Sequence, residues 1–350
     1  MEQAKQTVRI NGVEYTYETL SLLLGNENAS ERWFQDIYEF LREWLSDSDD
    51  IIVNTSGSTG APQPFALPKQ LMRASARATN TFFNLNSQSR SLLMLSATYI
   101  AGKMMLVRAI EGEYDIMLYP PSKTVDLSSC GEIDLLAIVP YQLQAMLDEM
   151  PHYKFENVKN IIVGGAPILI DLEERAKDIE AAVYATYGMT ETASHVALRR
   201  VGISHYYEAL PGVSFSTDDR GCLVIKAENL NIERLVTNDI VALLEGDNRY
   251  FQWMGRFDFV INSAGLKLNP EQIENKLSSA IPNRYYLTKR PDSKLGEKAV
   301  LIIESEPYSE HDMIELIRRM KNILDKYEMP KEIHFVDRFA ETPTGKVIRR

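Results

Sequence analysis

Asp50-Ile51-Ile52-Val53-Asn54-Thr55-Ser56-Gly57-Ser58-Thr59-Gly60 decides how the chain is read: a short β-branched run that ends in hydroxyls and glycines. Glycine reaches φ > 0 and lets backbone approach a ligand, while hydroxyls and free N–H groups donate hydrogen bonds. Such a loop suits a polyanion, most simply the phosphates of a nucleotide, although a solvated turn can share its composition. No Gly-Lys-Ser/Thr follows, so it is not a Walker loop. Downstream of it, strands are expected at 91–97, 114–119, 133–139, 160–163 and 182–186. Helices are expected at 70–83, 102–110, 141–149 and 171–178. The alternation predicts an α/β domain with a mostly parallel sheet.

Upstream, Val8-Arg9-Ile10 and Val13-Glu14-Tyr15 flank Asn11-Gly12, a hairpin signal. Asn28 with Glu31 resembles a capping box opening a helix through Trp33, Phe34, Ile37, Leu41, Trp44 and Leu45. After about Gly212 the pattern changes to short strands and turns such as Asp218-Asp219-Arg220-Gly221, predicting a small β subdomain. A boundary is expected near Gly255-Arg256-Phe257-Asp258, giving an N-terminal domain over 1–257 and a small α+β domain over 258–350. In the latter, a helix over 311–327 would bury Ile314, Ile317, Met320, Leu324 and Tyr327 on one face.

The formal charge of −11 and a pI near 5.1 argue against nucleic acid or an acidic membrane as the main partner. Two cysteines, Cys130 and Cys222, give no disulfide framework and suit a reducing compartment. The polar start, Met1-Glu2-Gln3-Ala4-Lys5-Gln6, lacks the apolar core of a secretory leader. Lys103 and Arg108 interrupt the apolar stretch 92–110, which argues against a membrane span. A cytoplasmic protein is the expectation.

Three further stretches could carry chemistry. Tyr187-Gly188-Met189-Thr190-Glu191-Thr192 ends a predicted strand, where α/β sheets bind ligands. A glutamate there can hold Mg²⁺, a threonine can bond phosphate and an aromatic can stack on a base. Gly164-Gly165-Ala166-Pro167 ends the preceding strand and would let a flat ring lie against backbone. In Thr237-Asn238-Asp239 the carboxylate could accept from a ribose diol, or simply close an Asx turn. In the tail, Pro343-Thr344-Gly345-Lys346 could present a fixed cation to a reacting phosphoryl group.

Taken in order, these stretches resemble the adenylate-forming superfamily of acyl-CoA synthetases, peptide-synthetase adenylation domains and luciferases, over about residues 50 to 346. The departures are Gln63 where lysine is usual, Asn238 for glycine, Phe259 for the second of two aspartates, and a short segment before the glycine loop. The resemblance implies ATP, Mg²⁺ and CoA as reactants. It implies that Thr55, Ser56, Gly57, Ser58, Thr59 and Gly60 hold the departing phosphates, Thr190 the α-phosphate and Glu191 the metal. Tyr187, Gly188, Gly164, Gly165 and Ala166 would frame adenine, and Asp239 and Arg256 the ribose. Lys346 would be catalytic, Asp258 the hinge of a mobile C-terminal domain, and Gly265 part of the loop at the CoA channel. Within the superfamily the run 187–195 most resembles the o-succinylbenzoate–CoA ligases of menaquinone biosynthesis. That implies an aromatic dicarboxylate as substrate, with Ser194 and His195 in the acid pocket. A homodimer would be in keeping with the family. Another aryl- or acyl-CoA ligase, a stand-alone adenylation enzyme and a silent nucleotide-binding module are the alternatives.

Overall fold

The computed structural model describes residues 6–54, 64–341 and 347–349. Asn11 (φ 49°) and Gly12 (φ 80°) both take left-handed conformations, as a two-residue turn matching the strand twist requires. They join β1 (Val8–Ile10) to β2 (Val13–Tyr15). α1 (Arg32–Trp44) buries the stripe Phe34, Ile37, Phe40, Leu41 and Trp44. The capping box expected at Asn28 does not form. Glu31 is the N-cap, with no side-chain bond, and the Asn28 N–H donates to the Asn26 side chain in a competing local turn. β3 (Asp50–Asn54) and β4 (Pro64–Pro68) pair antiparallel, with Asn54 opposite Pro64. The connection 55–63, which contains the Thr55–Gly60 loop, lies outside the described residues.

By their contacts the described residues form two compact units. The first takes the chain up to Ile168 together with Leu172–Ser214 and Lys226–Glu233. It continues with α2 (Lys69–Phe83), β5 (Arg90–Leu93), α3 (Ile100–Gly112), β6 (Asp115–Leu118), β7 (Ile133–Ile138), α4 (Pro140–Glu149), β8 (Val158–Val163), α5 (Ile170–Ala176), β9 (Ala182–Gly188), β10 (His195–Arg200) and β11 (Tyr207–Ala209). The strands lie in the order β11-β10-β9-β8-β7-β5-β6-β1-β2. From β9 to β1 every pairing is parallel; β10, β11 and β2 add antiparallel neighbours. Leu136, Ile138, Ile161 and Val163 read as near-continuous apolar runs because a parallel sheet is covered on both faces. α3, packed on α2 and the sheet, is buried over most of its circumference, Arg108 included. Among the described residues no helix is long and apolar enough to cross a membrane.

The second unit takes Leu169–Asp171, Phe215–Ile225 and the chain from Arg234 onward. Its strands include β12 (Val213–Thr217), β13 (Cys222–Ala227), β14 (Ile232–Leu244) and β15 (Asp247–Arg256), neighbours in that order. A second sheet follows: β16 (Ile261–Ser263), β17 (Leu266–Leu268), β18 (Tyr285–Asp292), β19 (Gly296–Glu304) and β20 (Glu332–Val336), ordered β17-β16-β19-β18 with β20 parallel on β19. α6 (Pro270–Leu277) and α7 (Glu310–Ile323) contribute to its core. The expected face of the last helix is corrected here. Leu316 and Met320 are buried, whereas Ile314 is 62% and Tyr327 61% exposed. At 100° per residue Ile314 lies about a third of a turn from the centre of the Leu316–Ile317–Met320 stripe, and Tyr327 falls beyond the helix end.

Candidate nucleotide and acid site

Two adjacent parallel strands bring two motifs to one edge of the first unit. β8 and β9 pair with Val163 opposite Ala185, so Gly164-Gly165-Ala166 and Tyr187-Gly188 leave the sheet at neighbouring carboxyl ends. Ligands of open α/β sheets collect there. Gly165 and Ala166 are exposed and Tyr187 is half-buried. A Cβ on Gly188 would lie 2.3 Å from the Ser194 carbonyl oxygen and 2.5 Å from the His195 Cα, so only glycine allows the turn to fold back so closely. Buried Thr192 ties that turn: its hydroxyl accepts from the Met189 N–H at 3.0 Å and sits 2.6 Å from the Ser194 carbonyl. The single turn Thr190–Thr192 leaves Glu191 exposed, with no ion pair among the described residues.

A register shift between His195 and Ala197 re-aims the start of β10, as β-bulges do. His195 turns inward and is 6% exposed, its Nε2 3.1 Å from the Thr79 hydroxyl. Burial, and then the neighbouring Arg108 charge, push its pKa well below the usual histidine value, so the ring is neutral at pH 7. The Arg108 guanidinium, 2% exposed, donates to the Ser194 hydroxyl at 2.7 Å and points one nitrogen at the Met105 sulfur. Its Nε has no hydrogen-bond partner, and no carboxylate pairs with it among the described residues. Burial lowers its pKa to about 10, still leaving it cationic at neutral pH. Ser194 and His195 are thus brought together with a buried, unpaired cation. Arg108 and Thr79 were missed in the sequence, where an arginine inside an apolar run is only an interruption. Two open surface clefts, of about 350 and 760 Å³, are lined by none of the motif residues.

In the second unit, Asp239 on β14 faces Arg256 on β15. Asp239 is 8% exposed, accepts from the Trp253 indole at 3.1 Å and lies 3.9 Å from the Arg256 guanidinium. Arg256 also pairs with Asp258 at 2.5 Å. Asn238, one of the departures from the family pattern, donates to both Asp258 oxygens at 3.2 and 3.4 Å and accepts from Arg220 at 3.0 Å. The hinge candidate is therefore held from two sides. Another departure, Phe259, lies beneath the Arg349 guanidinium, whose centre is 5.1 Å from the ring centroid while its nitrogens fork onto Glu274 at 2.7 and 2.8 Å. Gly265 (φ 82°) and Ala264 (φ 51°) form the turn of the β16–β17 hairpin. Lys346 lies outside the described residues.

On β15, Gly255 (φ 134°) makes room for the Asn269 Oδ1 and Glu271 Oε2 atoms, both buried without a hydrogen-bond partner among the described residues. Burial pushes the Glu271 carboxyl up to about 7, against the opposing pull of Arg349. Because the folded-state pKa is raised, the destabilisation is absent below the unfolded value near 4.5, grows as pH rises to about 7 and is constant above. Its ceiling is about 3 kcal/mol. Glu271→Gln should therefore raise the unfolding free energy at pH 8 and leave it unchanged at pH 4.5. Urea titrations at both pH values measure this, and an equal gain at both would disprove the assignment.

A mostly parallel sheet with an aromatic-Gly-x-Thr-Glu turn at a strand's carboxyl end marks the chain as an α/β protein of ligand-binding type, and it belongs to the AMP-binding enzyme family, whose model matches residues 5–220. Among curated proteins it is 24% identical over 336 residues to the 2-succinylbenzoate–CoA ligase of Listeria monocytogenes, covering 89% of this chain and 71% of that one. It is 25% identical over 341 residues to the feruloyl-CoA synthase of an Amycolatopsis species, covering 86% and 69%. Among solved structures it resembles an acyl-CoA synthetase (AMP-forming)/AMP-acid ligase II-like protein from Dyadobacter fermentans at 35% identity and TM-score 0.63, covering 93% and 95%. The fold is also that of the o-succinylbenzoate CoA synthetase of Bacillus subtilis in complex with its acyl-adenylate intermediate, at TM-score 0.72 and 22% identity over 85% and 67% of the chains.

Proposed function

We propose that this chain is an AMP-forming acid–CoA ligase whose acid is an aromatic dicarboxylate, o-succinylbenzoate fitting best. A substrate carboxylate oxygen attacks the α-phosphorus of ATP, displacing pyrophosphate and leaving an acyl-adenylate; the CoA thiol then displaces AMP. The observation that carries the acid assignment is Arg108. A buried guanidinium without a carboxylate is costly, and a carboxylate arriving with the substrate would relieve that cost. Ser194, and Thr79 through His195, add polar groups around it. The relatives named 2-succinylbenzoate–CoA ligase support the same acid.

Mg²⁺ binds through one or two carboxylates plus substrate phosphates, so an exposed Glu191, with no ion pair among the described residues, fits the metal without a protein cage. When bound, the ion offsets charge on the phosphate oxygens. Thr190 would bond the α-phosphate, and the Thr55–Gly60 loop would hold the departing pyrophosphate. Tyr187, Gly188 and 164–166 would frame adenine, with Asp239 and Arg256 at the ribose. Lys346 would contact groups that are charged in the first transition state. Asp258 would be the pivot between domains 1–257 and 258–350, and the Gly265 turn would border the CoA channel. A homodimer in the cytoplasm completes the reading.

The test is an incubation with MgATP, CoA and o-succinylbenzoate, read by mass spectrometry. The CoA thioester plus AMP is expected. Pyrophosphate release without a thioester would replace CoA by another acceptor. Turnover of a monocarboxylate such as ferulate, with none of the dicarboxylate, would overturn the acid assignment.

A further inference from the structure

β10 and β11 carry two side chains, Arg199 and Tyr207, that no step above uses. Ala197 lies opposite both Tyr187 on β9 and Ala209 on β11. With period 2, Tyr187, Arg199 and Tyr207 then project from one face of the sheet. Ala197 has only a methyl between its two neighbours. The Tyr207 ring reaches over it to meet Tyr187 at 5.9 Å between centroids, the planes at 62°. The Arg199 guanidinium centre lies 5.5 Å from the Tyr207 ring centroid, and its nitrogens fork onto Glu173, one at 3.2 Å and the other closer. Glu173 stands on α5, the helix that follows the Gly164–Ala166 loop. Both members of the ion pair are largely buried, their side chains 13% and 20% exposed.

We infer that Tyr207 is a positioning residue for the nucleotide base, holding Tyr187 through the chain of contacts Glu173–Arg199–Tyr207. The inference rests on the reading that Tyr187 and residues 164–166 frame adenine. A ring backed on one side by a tilted neighbour keeps its other surface in place for a flat base, so part of the ordering cost is met before binding. The ion pair also ties α5, and with it the loop of the opposite wall, to β10, the strand paired with the one that carries Tyr187.

The test is calorimetric binding of MgATP and MgCTP to the full-length protein, which needs no knowledge of the acid. Tyr207→Ala should weaken MgATP binding by about three- to tenfold and narrow the preference for the purine, the larger stacking surface. Tyr207→Phe keeps the ring and should bind within about twofold of wild type, the usual reach of one modest contact. Arg199→Lys keeps the charge but not the planar face, and should fall between them. Melting temperatures of all variants identify any that are unfolded. Tyr187→Ala separates the two levels. If it leaves MgATP binding unchanged, the adenine assignment fails. If it weakens binding while Tyr207→Ala does not, or if Tyr207→Ala weakens ATP and CTP equally, the positioning role alone is overturned.

Discussion

Arg108→Met should lower kcat/KM for o-succinylbenzoate by about 10²- to 10³-fold, the scale at which one partner is removed from a buried charge pair. The binding of MgATP should be unchanged. Stability should hold or rise, because among the described residues Arg108 is buried with no carboxylate partner and with its Nε unbonded. Methionine fills similar volume with nothing to desolvate. A monocarboxylate analogue that lacks the second acid group should lose far less, since it never contacts the guanidinium. Pyrophosphate-release kinetics with the two acids measure the difference. Equal losses for both would mean that Arg108 shapes the core rather than reads the substrate, and a large fall in melting temperature would point the same way.

Lys346→Ala should abolish adenylate formation, by about 10²-fold or more, the scale of a donor aimed at developing transition-state charge. It should leave the transfer of a supplied acyl-adenylate to CoA within about twofold, because the proposed swing about Asp258 withdraws the lysine before AMP departs. Pyrophosphate exchange reads the first step, and thioester formation from synthetic acyl-adenylate reads the second. Equal loss of both steps would mean that a single arrangement of the domains serves both, with no swing about Asp258.

The α/β plan was legible because its signals are local. The Asn11-Gly12 turn, the apolar runs of β7 and β8 and the spacing of α1 each depend on neighbours a few residues away. The Tyr187–Thr192 turn, at a strand's end, and the Asp239–Arg256 pair, across two paired strands, were legible for a different reason, as family motifs. Arg108 was not, since its role comes from Ser194 and His195, which lie more than 80 residues away. Nor was Tyr207, which needs the β9–β10–β11 register and the small Ala197 to be known first. The departures Asn238 and Phe259 looked like losses from a motif. The structure gives each a partner, Asp258 for the one and Arg349 for the other. At Ile314 the periodicity misled, because a run of threes drifts steadily around a helix of 3.6 residues per turn.

The half-titrated carboxyl of Glu271 has a consequence for calorimetry. With a folded-state value of about 7 and an ordinary one in the open chain, it makes folding at neutral pH a proton-consuming event, taking up about half a proton per molecule. Unfolding hands that proton to the buffer. The heat measured on melting therefore contains the buffer's own ionisation heat and differs between phosphate and Tris, so the enthalpy belonging to the protein is the one obtained by extrapolating to a buffer of zero ionisation heat.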